Sequence, residues 1–372
     1  MTSKHLRIAR IAGIPIGLDY SWFLIFVLLT WSLGASYFPA QFPGWASWEY
    51  WAIGALAAIL LFVSVLLHEL GHATAARHYR IPVREITLFI FGGVAQIQEE
   101  PKSASSEFWI AIAGPIVSLM LGILFSALAL LAASIPQLLA IFRYVGYLNL
   151  MLFLFNLIPG FPLDGGRVLR AFIWGATRDT HKATLIAANT GRFIAYGFIV
   201  MGLAMIFAGD LYNGLWMAFI GWFLESAAVA QVQQQKLRDI LSRYPVRQAM
   251  STDLTTLPAH ITLDVLAEHH FLNGGKRAYI VQKAGNAAGI LTIHQLRKVP
   301  KSQWPLTTAA QAMIPLAEAI TVHPDDDLWT ALSDMDREGV NQVLVVENGV
   351  MTGILSREDV VSFLQYINTT GA

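Results

Sequence analysis

The chain has 372 residues, of which 55% are hydrophobic and only 13% charged, with a mean hydropathy of +0.52; this is far more apolar than a soluble domain and marks a membrane protein. The formal net charge is zero, which leaves no bulk attraction for nucleic acid. There is no cysteine, so disulfides, iron–sulfur clusters and thiolate metal sites are excluded, and any metal must be held by His, Asp or Glu.

In chain order, a basic arm with Lys4, Arg7 and Arg10 precedes six apolar runs, at 20–38, 50–76, 108–134, 143–163, 183–208 and 211–232. Each is long enough to cross about 30 Å of hydrocarbon. The first is long for a signal-peptide core and reads as a retained signal anchor. Basic residues recur on alternate connections: Arg77, Arg80, Arg84 and Lys102; Arg167, Arg170, Arg178 and Lys182; Lys236, Arg238, Arg243 and Arg247. The remaining connections hold only Arg143. The positive-inside rule then puts both termini in the cytoplasm of a multi-pass protein of the cell (plasma or inner) membrane.

The second run ends in "SVLLHELGHATAARHYR", residues 64–80. His68 and His72, four apart, share one helix face and are positioned to hold one metal ion, while Glu69 can reach a metal-bound water. Zinc lowers the pKa of such a water to about 7, and a carboxylate that accepts its proton makes it a nucleophile for a carbonyl. The same three residues could instead cap the cytoplasmic end of the span near Arg77. Against that stands the cost of a charge deep in a membrane helix, about 2.5–3.5 kcal/mol, which is rarely borne by an idle residue.

Next comes "EITLFIFGGVAQIQ", residues 85–98, too short and too β-branched or aromatic for a crossing. With Gly92-Gly93 as its turn it reads as a hairpin near the cytoplasmic face, and its exposed edge could hold an extended substrate by β-augmentation. Beyond the fourth run, "NLIPGFPLDGGRVLRA" concentrates Pro159, Gly160, Pro162, Gly165 and Gly166 around Asp164. Irregular backbone at that depth is tolerated only inside protein or along a watery cavity. Zinc with two histidines needs a third protein ligand and an open position, and Asp164 is the best candidate; it also reads as a helix-start cap followed by Arg167. His78, His181 and the pair His269-His270 have no partner at ligand spacing within a span and read as surface or juxtamembrane residues.

After Gln235 the charges return and the apolar runs shorten. The segments 246–296 and 309–360 run in parallel, each with Ala-Met near its start and Gly-Ile-Leu-Thr/Ser near its end. The organisation expected is a transmembrane region, 1–235, followed by two soluble α/β modules at 236–299 and 300–372.

The sequence resembles the site-2 protease family, peptidase family M50, over residues 13–232, through HELGH, "GGVA", "AGPIVS" and "NLIPGFPLDGG". The resemblance implies a polytopic α-helical zinc metalloendopeptidase that cleaves a transmembrane segment of a partner protein within the lipid bilayer. His68, His72 and Asp164 would bind one Zn2+, Glu69 would be general base and acid, and Asn156 would lie close to the substrate or tetrahedral intermediate. "AGPIVS", Ala113 to Ser118, would be a helix-packing element of small residues. The tail resembles a tandem pair of CBS domains, a family that often binds adenine nucleotides between its copies. There a Gly-hydrophobic-hydrophobic-Ser/Thr-x-x-Asp segment contacts the nucleotide; the second copy matches with Ser356 and Asp359, while the first matches with Thr292 but has Gln295 in place of the acid. The pair could equally serve as a docking or homodimerisation platform. A contrasting reading is a CBS-regulated metal-binding or transport protein without proteolytic activity, which would need polar residues across the other spans; Glu225 is the main one present.

Overall fold

The computed structural model describes residues 5–90, 92–268, 278–283 and 285–370; His269 and His270 lie outside them. The chain divides into two compact units, 1–235 and 236–372.

The first unit opens with a hairpin where the sequence shows only a basic arm. Strands β1 (His5–Ile11) and β2 (Ile14–Asp19) are antiparallel. They join through Ala12 and Gly13, both at positive φ (48° and 80°), the conformation a two-residue hairpin turn requires. Asp19 caps α1 (Tyr20–Ser32) by accepting from the Ser21 amide at 2.9 Å. The helix continues through a π-helical turn, Leu33–Tyr37, into α2 (Phe38–Gln41). Helix α3 (Ser47–His78) has 32 residues and carries the HELGH segment in its second half. Strands β3 (Val83–Phe89) and β4 (Gly92–Ile97) form the expected hairpin. It extends the first one into a single sheet of order β1-β2-β3-β4.

Helices α4 (Ala104–Leu131), α5 (Pro136–Asn156), α6 (Asp164–Thr177), α7 (Thr180–Phe207) and α8 (Leu211–Leu241) follow. Side-chain caps start two of them: Ser103 accepts from the Ser106 amide and Asp179 from the Lys182 amide. Among the described residues, six helices are long and apolar enough to span a membrane: Tyr20–Gln41, α3, α4, α5, α7 and α8. The fourth begins at Pro136 and stops at Asn156, earlier than the expected 143–163, because Pro159, Gly160 and Pro162 end it.

Among the described residues, the second unit holds two sheets. In the first, β5 (Thr256–Pro258), β6 (Ala278–Lys283), β7 (Asn286–Thr292) and β8 (Ile314–Pro315) lie in that order. The second has the order β11-β10-β9, built from β9 (Thr321–Val322), β10 (Gln342–Glu347) and β11 (Val350–Ser356). Helices α9 (Leu263–Leu266), α10 (Ile293–Lys298), α11 (Ala309–Ala312), α12 (Leu328–Glu338) and α13 (Arg357–Thr370) complete it.

The two sequence repeats exchange their leading segments. Val246 packs into the second copy's core with Val343, Val345 and Leu355, and Ser251 bridges to Ile354. Reciprocally, Ala309 packs among Leu257, Tyr279 and Leu291, and β8 pairs with β7. The repeated glycine of Gly-Ile-Leu has its reason here: a Cβ on Gly289 would meet the Ile314 carbonyl oxygen at 2.3 Å, and one on Gly353 would meet the Met250 sulfur at 2.9 Å. Each Ala-Met segment seats on the Gly-Ile-Leu strand of the other copy.

Candidate metal centre

His68 and His72 lie on the buried face of α3, with Ser64 one turn before them. Their Nε2 atoms are 3.1 Å apart, and each is 3.2 Å from Oδ2 of Asp164. These residues are one of two candidate metal-ligating groups among the described residues. The other, His323 with Asp325 and Glu347, sits largely exposed in the second unit.

The geometry tests whether a metal fits. Around an ion with ligand bonds of about 2.0–2.1 Å, two vertices of a tetrahedron are about 3.3 Å apart, close to the observed edges. Two ring nitrogens and a carboxylate oxygen this close present lone pairs to one another, so a cation or shared protons must lie among them. Their surroundings also orient them. Nδ1 of His72 lies 2.7 Å from the carbonyl oxygen of Ile110, which can only accept; Nδ1 therefore carries the proton and Nε2 is left free as a ligand atom. Nδ1 of His68 lies 2.8 Å from the hydroxyl of Ser118. The Asp164 carboxylate, whose Oδ2 lies 3.2 Å from each Nε2, completes the set of donor atoms.

Helix α4 supplies both imidazole partners and the space between them. Ile110, Gly114 and Ser118 are four residues apart and so share a face. A Cβ on Gly114 would stand 2.2 Å from Nε2 of His72 and 2.7 Å from Nε2 of His68. The small residues of "AGPIVS" were expected to serve helix packing; Gly114 and Ser118 also shape the site. Their i, i+4, i+8 spacing from Ile110 was the available signal, but nothing in the sequence says which partner that face meets.

Asp164 is set by a glycine-lined knot. Cβ atoms on Gly160, Gly165, Gly166 or Gly191 would each fall within 2.4 Å of backbone atoms, so no other residue fits these packed turns. Backbone donors of the knot are met inside protein: the Phe161 amide donates to the Ala187 carbonyl of α7, and the Leu163 amide to the Gly160 carbonyl.

Glu69 is half-buried beside this cluster, and its Oε2 accepts from the Ala95 amide of β4 at 3.2 Å. A Cβ on Gly93 would meet the Glu69 side chain at 2.6 Å, so "GGVA" admits the carboxylate. Asn156, the last residue of α5, joins Glu69, Asp164 and both histidines on one cavity of about 610 Å³. Trp216, Phe219 and Phe223 of α8 form an aromatic wall, and Arg167, expected only to follow the Asp164 cap, lines the same cavity.

In the second unit, Thr292 and Ser356 line a cavity of about 460 Å³ between the two repeats, together with His294, Lys298, Asn341 and Arg357. Asp359 is engaged at the start of α13, where it accepts from the Ser356 amide at 2.8 Å and the Ser356 hydroxyl at 2.6 Å. The Thr292 hydroxyl likewise donates to Gln295. The Ser356-x-x-Asp359 segment thus acts as a helix-start box, with the Asp359 amide donating back to the Ser356 hydroxyl at 3.1 Å, whereas Thr292 and Gln295 share only a side-chain hydrogen bond.

Six spans, with a His-His-Asp cluster and an adjoining carboxylate facing a cavity in the spanning unit, define the class: a membrane metalloprotease. Comparison with known proteins agrees. The model of peptidase family M50 matches residues 56–137 and 132–202, and that of the CBS domain matches 309–366. The chain is 35% identical over 360 residues to a Mycobacterium tuberculosis protein named as zinc metalloprotease Rip3, covering 95% of this chain and 91% of that one. It is 33% identical to a Synechocystis protein named as zinc metalloprotease sll0528 (98% and 96% covered). It is 30% identical to zinc metalloprotease MJ0392 of Methanocaldococcus jannaschii (95% and 94% covered). The solved site-2 protease of M. jannaschii is 32% identical, covering 61% of this chain and 95% of that one, with a TM-score of 0.43. The chain belongs to peptidase family M50, and the proteolytic reading displaces that of a transporter.

Proposed function

We propose that this protein is an intramembrane endopeptidase that cuts the transmembrane segment of a partner protein, with zinc held by His68, His72 and Asp164. The observation that carries the reading is the triangle of two Nε2 atoms and one Oδ2 atom, 3.1–3.2 Å on each edge, beside the Glu69 carboxylate. When bound, zinc supplies a Lewis acid and lowers the pKa of water at its open position to about 7.

The chain's own residues do the rest. Ile110 and Ser118 fix the rings so that both Nε2 atoms face Asp164. The Glu69 carboxylate takes a proton from the attacking water and returns it to the leaving amide nitrogen. Asn156 offers its side-chain amide to the oxygen that gains charge as the peptide carbonyl becomes tetrahedral. Substrate backbone pairs in extended form with β4, the edge strand of its sheet that is hydrogen-bonded to Glu69 through Ala95. The aromatic wall of α8 excludes lipid and bulk water from the cavity.

The alternating basic connections support cytoplasmic termini and a site near the cytoplasmic side of the cell membrane. In the second unit, spanning the repeats 236–299 and 300–372, the cavity at Thr292 and Ser356 takes an adenine nucleotide, with Asp359 released from its cap to the ribose. The same pair of modules provides the surface for a homodimer.

The test is direct. The chain is purified in detergent, its zinc content measured, and wild type compared with Glu69→Gln on a panel of single-span proteins. Zinc in both with cleavage by wild type alone supports the assignment, and equal cleavage by both refutes it.

A further inference from the structure

Across the first sheet, one row of side chains changes surroundings abruptly. Opposed residues of an antiparallel pair point to the same side, so Leu6, Ala9 and Ile11 of β1 share a face with Leu18, Ile16 and Ile14 of β2. That face continues through Ile86 and Leu88 of β3 to Ala95 and Gly93 of β4. It is also the face that packs on α3, where Ile14, Ile16 and Ile86 meet Leu66, Leu70 and Ala73. Ile14 and Leu18 are 1% and 8% exposed, yet Ile11 and Leu6, directly opposite them, are 41% and 53% exposed. Strand β1 therefore overhangs α3 and carries the sheet's apolar face beyond the protein that covers the rest of it.

The other face of β1 is basic. Arg7 and Arg10 oppose Gly17 and Pro15; the Arg7 guanidinium reaches Glu85 at 3.9 Å and the Arg10 Nε donates to the Gly13 carbonyl at 3.0 Å, and both side chains remain exposed. The register shift between Arg7 and Ala9 makes Ile8, 51% exposed, the extra residue of a bulge on this outer strand. In water this strand would be a liability, an edge with three half-exposed aliphatic side chains. It is not placed in bulk water. Strand β2 ends at Asp19 and the first spanning helix begins at Tyr20, while Leu66, Leu70 and Ala73 sit on the second.

We propose that β1 is an interfacial lipid anchor: Leu6, Ile8 and Ile11 seat in the boundary between acyl chains and headgroups of the surrounding bilayer, with Arg7 and Arg10 turned to the lipid phosphates. Apolar residues on one side and basic residues on the other are the pattern of segments that lie in that boundary, buried by about 5–10 Å. The occupant is the bilayer because both elements that position β1 are spans. The consequence reaches the opposite edge of the sheet, since β1 is tied through β2 and β3 to β4, whose Ala95 amide holds Glu69.

The absence of cysteine allows a clean test. Full-length chains carrying Leu6→Cys, Ile11→Cys, Arg7→Cys or Arg10→Cys are spin-labelled and reconstituted in vesicles of phosphatidylcholine and phosphatidylglycerol, with Val361→Cys, on an exposed position of α13, as the water reference. Accessibility is read to lipid-soluble oxygen and to a water-soluble nickel chelate. Leu6 and Ile11 are half-exposed, so the label fits without repacking a core. The expected result is a several-fold higher oxygen-to-nickel ratio at positions 6 and 11 than at 361, with the ratio at 7 and 10 between them. A ratio at 6 and 11 equal to that at 361 overturns the proposal. Labels shielded from both reagents and broadened by a second spin also overturn it, because a second copy of the chain would then cover the strand.

Discussion

The guanidinium of Arg170 lies 3.2 Å from a carboxylate oxygen of Glu107, and both side chains are withdrawn from solvent, at 7% and 0% exposure. Arg170 stands on α6, the helix that begins with Asp164, and Glu107 on α4, the helix that holds both imidazoles. Removing Glu107 leaves the buried Arg170 guanidinium with only the half-exposed Glu100 carboxylate, and breaking a buried pair costs up to about 3–5 kcal/mol. Glu107→Ala should therefore unfold far more readily in detergent than wild type and lose zinc. Glu100→Ala removes the half-exposed second carboxylate, 3.4 Å from Arg170, and should change stability by only about 0–1 kcal/mol. Thermal unfolding of the two variants in parallel, with metal content, checks both.

Gly114 occupies the closest approach to the site. A methyl group there would lie within 2.2 Å of Nε2 of His72, in the space a ligand atom needs to reach a metal. Gly114→Ala should purify with little or no zinc. Gly197→Ala, where a Cβ would meet nothing within 4 Å, should keep wild-type zinc. Metal analysis of the two proteins distinguishes loss of the site from a general effect of glycine replacement in a spanning helix.

The parts of this site that sequence makes legible are those whose geometry is local. His68, Glu69 and His72 are readable because helical spacing alone puts two imidazoles on one face, and the apolar run around them shows that the face is in a membrane. Asp164 is readable because prolines and glycines at membrane depth are costly outside protein or a watery cavity. Ile110 and Ser118 are not, since their roles depend on which side of α4 meets α3, a matter of tertiary packing. The β1–β2 hairpin was hidden for another reason: the register shift between Arg7 and Ala9 breaks the alternation, and three basic residues dominate the segment. In the tail the repeat was plain, but sequence order concealed the exchange of the Ala-Met segments, which only the pairing of β7 with β8 and of Ser251 with Ile354 reveals.

Ala95 couples strand β4 to Glu69 through a single amide, 3.2 Å from the carboxylate. Proline at this position removes that donor and also interrupts the edge strand. Ala95→Pro should abolish cleavage while leaving zinc at the wild-type level, because none of the three metal-facing residues is on β4. Ala95→Gly keeps the amide and should retain most of the activity. A cleavage assay read beside metal content separates the two variants; zinc loss in Ala95→Pro would show that the sheet supports the metal site rather than the base.

The two glycines of the repeated Gly-Ile-Leu segments are equivalent in sequence but not in what surrounds them. At Gly289 the nearest obstacle to a Cβ is the Ile314 carbonyl oxygen at 2.3 Å, part of the backbone of β8, which pairs with β7 and has little freedom to move. At Gly353 the obstacles are the Met250 sulfur at 2.9 Å and the Ser251 carbonyl at 3.0 Å. The sulfur ends a flexible side chain that can rotate away. Overpacking a fitted interior costs about 1–3 kcal/mol, so Gly289→Ala should fall at the upper end of that range and Gly353→Ala at the lower. Limited proteolysis of the full chain should then release fragments of the second unit faster from Gly289→Ala than from Gly353→Ala. The reverse order would mean that the Met250–Ser251 segment seated on Gly353 is the more rigidly held.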